Sequence, residues 1–342
     1  MEKFWFIFSK TDLLIIPTDT DKYTVPTSEN CPIKTQPWNN IMTITPMADG
    51  TEVRTVRIDD PQKLEFVSHE PNGWKWEGLR KSFYSLPLDI YKKAGKCQEL
   101  LYWDSTTQFC GCCGSPMKMH TDISKKCTNC GKEIWPSPAP AVITLIHKGD
   151  EVLLVRGRNF RTDFYGLVAG FVETGETLEE AAKREALEET GIKIKNLRYF
   201  GSQPWPYPCG IMVGFNADYE SGEIHLQEEE IAKGAWFKAD NLPTIPEKLS
   251  IARMLLDDWL NSLKAGRSPT ANRPHQVFQQ ISNTGLRRQG KEGPPEWEGS
   301  LAVAPTHTQS LCVLSESLLA CPSLEKARPH STILEAPRVS CS

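Results

Sequence analysis

No stretch of this 342-residue chain approaches the roughly 18 consecutive apolar residues that a membrane-crossing helix needs, so none is expected. The N-terminus, MEKFWFIFSK, has five consecutive apolar residues and an early Glu2. A secretory signal needs a longer apolar core and a small-residue cleavage site. Residues 4–8 therefore read as a first β-strand and the protein as cytoplasmic. An excess of basic charge is missing too. Lys and Arg number 39 against 43 Asp and Glu, a formal net charge of −4. No global field draws such a chain onto nucleic acid or an anionic membrane. A nucleotide-sized polyanion stays open, because a metal ion reverses the sign of a site locally. Internal repeats of the solenoid or propeller kind are absent. Beyond Ala265 aromatic residues nearly vanish, with Phe278 and Trp297 alone in a stretch rich in Ser, Pro, Arg and Gly. Such a segment buries too little apolar surface to offset its ordering entropy, and residues 265–342 are expected to be a disordered tail.

Cysteine is plentiful, at 11, but the count is odd and the spacing uneven. Two Cys-x-x-Cys pairs, Cys110 with Cys113 and Cys127 with Cys130, point to a metal rather than to disulfides. Each pair spans one edge of a tetrahedron, as in zinc ribbons. Cys112 is a spare thiol inside the first pair and leaves the register open; the usual spacing favours Cys113. Four thiolates leave no open coordination position, so the expected role of Zn²⁺ is structural. Lys118, His120, Lys125 and Lys126 add mild local basicity, compatible with RNA contact. No local base marks Cys31, Cys97, Cys112 or Cys209 as a nucleophile.

The spacing of apolar runs and turns divides the chain into a β-rich N-terminal domain (1–105), a zinc ribbon (106–136), a third domain (137–264) and the tail (265–342). Strands are expected in the first at 4–8, 13–16, 41–45, 53–58 and 64–67. A helix near 88–103 follows Pro87 and is interrupted by Gly95. The third domain reads as strands at 141–146, 151–155 and 166–172, a helix at 178–190, strands at 198–202, 211–219 and 234–238, and a closing helix at 250–262.

Within that domain, Glu188 and Glu189 follow Glu185 by three and four positions, so a helix puts all three carboxylates on one face. Like charges so placed repel, and a cation is the simplest reason to tolerate them. Oxygen donors select Mg²⁺ or Mn²⁺ over zinc. The bland alternative is a solvated acidic face paired with Lys183 and Arg184. The wider pattern decides between them. Gly170, Glu176, Arg184, Glu185, Glu188, Glu189, Gly191 and Ile192 fall at every fixed position of the Nudix box, which this stretch resembles. Ala186 is small where the family has a bulky aliphatic. The resemblance implies an α/β fold: an α/β/α sandwich with a mixed sheet, here preceded by the β-rich domain and the ribbon. It also implies hydrolysis of a nucleoside diphosphate linked to another group. By the same resemblance Glu185 and Glu189 would be the main metal ligands. Glu188 would be a further ligand or orient water, Arg184 would buttress the carboxylates, and the Ala169 carbonyl would complete the shell.

After the box comes Ser202-Gln-Pro-Trp205-Pro-Tyr207-Pro208. Alternate prolines force an extended path, and Trp205 and Tyr207 would present ring faces to a flat base; a Pro-rich surface loop is the bland alternative. The segment resembles the SQPWPFPxS signature of the NADH pyrophosphatase (NudC) subfamily of Nudix hydrolases. Tyr207 stands in place of Phe, and Gly210 in place of the final Ser. The resemblance implies that Glu230 is another metal ligand or the general base. Phe171 and Trp135 would sandwich a base, Arg80 would reach a phosphate, Ala252 would line the site, and Gln203 and Trp205 would contact substrate. It further implies a homodimer that cleaves NAD(H) to NMN(H) and AMP and removes NAD caps from RNA. A broader Nudix hydrolase of ADP-ribose or a related compound, and a non-catalytic zinc-ribbon scaffold, are the competing readings.

Overall fold

The computed structural model describes residues 1–19, 22–67, 71–160 and 163–266; the expected tail lies outside these from 267 onward. The N-terminal unit is built on one sheet. Its strands are β1 (Lys3–Ser9), β2 (Asp12–Pro17), β3 (Tyr23–Thr24), β4 (Thr27–Ser28), β5 (Met42–Ile44), β6 (Val53–Ile58) and β7 (Lys75–Gly78). They run in the order β3-β2-β1-β6-β5, with β4 paired to β1 and β7 to β2. β1 and β6 are parallel, from Phe4 opposite Val53 to Ser9 opposite Ile58. Strand periodicity sorts their side chains. Phe6, Phe8, Leu13 and Ile15 face one core, shared with the helix α2 (Leu88–Thr106); Trp5, Ile7 and Leu14 face a second. A short helix, α1 (Leu79–Ser82), leads from β7 toward α2.

Two expectations for this unit change. Residues 64–67 are not a strand. Pro61–Lys63 form a 3₁₀ turn capped by Asp60, and one isolated pairing, Ile33 with Phe66, follows. Leu64 and Phe66 are apolar because they pack on the second core, not because they join a ladder. Gly95 does not interrupt α2; it lies buried within a continuous helix that extends past the expected end at 103.

The ribbon has three short strands, β8 (Met117–Thr121), β9 (Ser124–Cys127) and β10 (Glu133–Ile134). Lys125, counted toward the ribbon's local basicity, is buried. Its ammonium pairs with Asp104 at 2.7 Å, donates to the Asp104 and Thr107 carbonyls and lies over the Trp103 ring. It ties the ribbon to the end of α2, and burial requires such partners for a charge. Lys118, His120 and Lys126 remain exposed.

The third unit contains β11 (Ala139–Lys148), β12 (Glu151–Gly157), β13 (Val168–Phe171), α3 (Leu178–Thr190), β14 (Lys193–Trp205), β15 (Gly210–Ser221), β16 (Ile231–Lys238) and α4 (Ile251–Lys264). The sheet order is β14-β15-β11-β12-β16, with β13 on β11 and a parallel β11–β15 pair at its centre. Alternation along β11 makes the sandwich. Ala141, Ile143 and Leu145 pack with Ile251, Leu255 and Trp259 of α4. Val142 packs with Ala181 and Ala182 of α3, and Ile146 with Ala186. β14 runs through Pro204, which an edge strand tolerates because one side of its backbone needs no donor. Among the described residues, no helix is long and apolar enough to cross a membrane.

Candidate active site

The site begins with how α3 is held. Thr177 caps it, accepting from the Glu180 N–H while the Glu180 carboxylate accepts from Thr177 N–H, and Gly191 ends it in the left-handed region at φ 72°. With both ends pinned, Glu185 and Glu189 join Ala181, Ala182 and Ala186 on the buried face, and Glu188 stays exposed. Glu185 is turned against β13. A Cβ on Gly170 would sit 2.0 Å from the Glu185 Cδ, so only glycine leaves room for that carboxylate.

Arg184 organises the acids. Its guanidinium takes both Glu176 oxygens, at 2.5 and 2.9 Å, and donates to Glu185 at 2.8 Å, to Glu188 at 3.1 Å and to the Phe171 carbonyl at 2.9 Å. Sequence reasoning gave Glu176 no role, although it occupies a fixed position of the box. The Arg184 hydrogen bonds hold its carboxyl below the usual range. Burial pushes Glu185 up instead; Arg184 opposes this, and the charges of Glu188 and Glu230 add to it. Glu230, in the turn after β15, is thus within electrostatic reach of Glu185. Its carbonyl accepts from Arg158 N–H at 2.8 Å.

A small cavity of about 80 Å³ brings Glu189 together with Ala169, Arg80, Trp205 and Ala252. The Arg80 guanidinium lies 5.5 Å from the centre of the Trp205 ring. A larger cavity of about 420 Å³ is walled by Trp135, Phe171, Trp205, Tyr207, Tyr102 and Trp103. Trp205 and Met212 border both cavities. Trp205 and Tyr207 meet edge to face with centroids 5.1 Å apart, and Trp135 is 54% exposed at the ribbon side. Gln203 departs from expectation: its amide donates to the Leu249 carbonyl and accepts from Ile251 N–H, so it clamps the start of α4. Tyr91, of which no site role was expected, shares a hydrogen bond with the Tyr207 hydroxyl at 3.0 Å.

In the ribbon, the sulfurs of Cys110, Cys113, Cys127 and Cys130 all lie within 4.8 Å of one another. Among the described residues this is the one group of three or more metal-ligating side chains so gathered. It settles the register on Cys113 over Cys112. The Cys112 and Asn129 N–H groups donate to the Cys110 and Cys127 sulfurs, at 3.4 Å each. Four sulfur donors fit a tetrahedral soft-metal site. On α3 and β13 the donors are oxygens only, the carboxylates of Glu185, Glu188 and Glu189 and the Ala169 carbonyl, the donor type a hard divalent cation takes.

Residues 137–258 match the family described as NUDIX domain, and residues 2–103 match the NADH pyrophosphatase-like rudimentary NUDIX domain. The chain is 42% identical over 192 residues to the NAD-capped RNA hydrolase NudC of Pseudomonas entomophila (strain L48), covering 56% of this chain and 70% of that one. It is 44% identical over 211 residues to the protein of the same name from Mannheimia succiniciproducens, covering 59% and 79%. A solved Nudix hydrolase from Nitrosomonas europaea matches at 21% identity and a TM-score of 0.42, over 47% of this chain and 94% of that one. A full carboxylate box on α3, a family match for each unit and this level of identity to NudC proteins lead to one conclusion: the chain belongs to the Nudix hydrolase family, in its NADH pyrophosphatase-type branch.

Proposed function

We propose that the protein is an NAD(H) diphosphatase that hydrolyses the pyrophosphate of NADH or NAD⁺ to NMN(H) and AMP, and that it removes NAD caps from RNA by the same cleavage. The observation that carries this is the shared wall. Trp205 borders both the aromatic cavity and the smaller one that holds Glu189, so a base stacked in the first presents its diphosphate to the second. Trp135 and Phe171 would take the base, and Arg80, held over Trp205, would meet a phosphate. Glu185, Glu189 and Glu230, with the Ala169 carbonyl, would hold Mg²⁺ or Mn²⁺. Such an ion supplies charge neutralisation for the pyrophosphate and a more acidic water.

The chain's own groups do the rest. Arg184 keeps the Glu185 and Glu188 oxygens in place through its fork. Exposed Glu188 would be a further ligand or orient water, and Glu230 would ligate the metal or accept a proton. The protein groups proposed around the diphosphate include Arg80, a cation, and no serine or cysteine nucleophile is required. Zn²⁺ in the four-sulfur cluster has no open position and serves structure. A thiolate metal site fits a reducing compartment such as the cytoplasm. The exposed Trp135 at the cavity mouth fits a homodimer in which a second copy covers it; sedimentation velocity on the full chain tests this, and a monomer at micromolar concentration excludes it.

The deciding experiment is mass spectrometry of products after incubation with NADH and Mn²⁺, in H₂¹⁸O, with Glu189→Gln as control. NMNH and AMP from the wild type alone are expected. Intact NADH alongside cleaved ADP-ribose would replace this reading with that of a broader nucleoside diphosphate hydrolase.

A further inference from the structure

The aromatic turn between β14 and β15 rests on the N-terminal unit, and its contacts fall on one face of α2 at helical spacing. At position 91 the two tyrosine hydroxyls meet, Tyr91 with Tyr207. At 95, a Cβ would lie 3.2 Å from Cγ of Pro206, so an added methyl would press the turn back by a few tenths of an ångström. A glycine inside a helix is otherwise unfavourable. At 99, the glutamate carboxylate faces the Gly210 N–H, and its charge acts on the Cys209 thiol. At 102 and 103, Tyr102 and Trp103 join Tyr207 in walling the larger cavity.

Glu99 stands out in this row. One of its oxygens is buried without a hydrogen-bond partner, an arrangement that costs stability. Burial raises its carboxyl to about 7, with the Gly210 N–H pulling the other way.

We propose that this face of α2, with Glu99 at its centre, sets the position of the aromatic turn and thereby the affinity of the dinucleotide cavity. Glu99 is a positioning residue: it acts through Gly210 and Cys209 and does not touch the substrate. Recognition by the hydrolase unit then depends on a residue of the N-terminal unit. The inference rests on the reading of that cavity as the substrate site.

Two variants of the full chain separate positioning from general stability. Gly95→Ala adds one methyl against Pro206 while favouring the helix. Glu99→Gln keeps an acceptor for Gly210 N–H and removes the charge. With NADH and Mn²⁺, KM is expected to rise about 5- to 10-fold in both with kcat little changed, the signature of a displaced binding wall. Wild-type KM should climb as pH falls through about 7, where Glu99 takes up a proton, and Glu99→Gln should flatten that limb. The other titratable groups facing Glu99 and the turn are the Cys209 thiol and the Tyr91 and Tyr207 hydroxyls, all pushed upward by burial and so neutral in this range; Arg80 adds positive charge beside the tyrosines. A second readout needs no substrate. Peptide-resolved alkylation of Cys209 by iodoacetamide should be faster in Glu99→Gln, which removes a charge that disfavours the thiolate, and in Gly95→Ala, which moves the turn. Wild-type KM in both variants overturns the proposal. If the wild type leaves NADH intact, the reading of the cavity fails, and Cys209 alkylation in Gly95→Ala decides alone: a faster rate supports the seat, an unchanged rate overturns it.

Discussion

At Gly170 the chain has room for a hydrogen atom, because the Glu185 carboxylate lies where a Cβ would be. Gly170→Ala must therefore swing Glu185 away. Turnover of NADH is expected to fall to the level of Glu189→Gln while far-UV circular dichroism stays that of the wild type. Arg184 is bound by geometry rather than charge alone, since one fork serves three carboxylates and a carbonyl. Lysine keeps the charge and loses the fork. Arg184→Lys should cost about 10- to 100-fold in turnover or Mn²⁺ affinity, the range seen when groups that orient metal ligands are removed. For Glu185 the sign of the pH dependence follows from burial. Its carboxyl is raised, so the protonated form is favoured in the folded protein, and ionisation as pH rises weakens the metal-free fold. A bound cation cancels that penalty and needs the ionised form. The rise in Tm on adding Mn²⁺ is thus expected to grow from pH 5 to 8 and to vanish on acidification; a rise independent of pH would count against Glu185 as a ligand.

Elements set the precision of these residues. The reciprocal cap at Thr177 and Glu180 fixes the first turn of α3, and with it the phase that buries Glu185 and Glu189. Thr177→Ala should lower stability by about 1 kcal/mol, read by urea denaturation. The ribbon works on the same scale. Its four sulfurs gather beside β8 and β9, and buried Lys125 ties β9 to Asp104 at the end of α2. Cys127→Ala should abolish bound zinc, measured by plasma mass spectrometry on the purified chain, and expose the 106–136 segment to proteolysis. Retention of one zinc per chain would put the metal elsewhere.

Across the whole molecule, two related units share the work. Each has a parallel strand pair inside an otherwise antiparallel sheet, β1 with β6 and β11 with β15. The first matches a rudimentary version of the family and the second the full domain. The carboxylate box sits in the second, while the first contributes Arg80 to the cavity beside Glu189 and α2 to the turn that walls the larger one. Tyr207 packs against the cores of both. Isolating residues 137–264 should therefore cost NADH turnover even if the fragment folds. Deleting residues 267–342 should leave turnover and Tm unchanged, because α4 already closes the sandwich through Leu255, Leu256 and Trp259.

What the sequence determined by itself was local and periodic. The Glu185, Glu188 and Glu189 spacing is a helical period, Cys110-x-x-Cys113 and Cys127-x-x-Cys130 are tetrahedral edges, and strands such as 53–58 declare themselves by turn-bounded apolar runs. The family resemblance rested on the fixed positions from Gly170 to Ile192 and on the Ser202–Pro208 segment, so the fold and the reaction class were legible in the sequence. Tertiary structure decided what depends on distant partners. Phe66 is apolar for a core and not for a ladder, Lys125 is charged for Asp104 and not for solvent, and Gln203 holds α4. Glu176 becomes Arg184's partner across eight residues, and Tyr91, Gly95 and Glu99 become the seat of a turn more than a hundred residues away. A side chain's own chemistry is written in its local sequence, but which group it faces is set by how sheets and helices pack, and no local period encodes that.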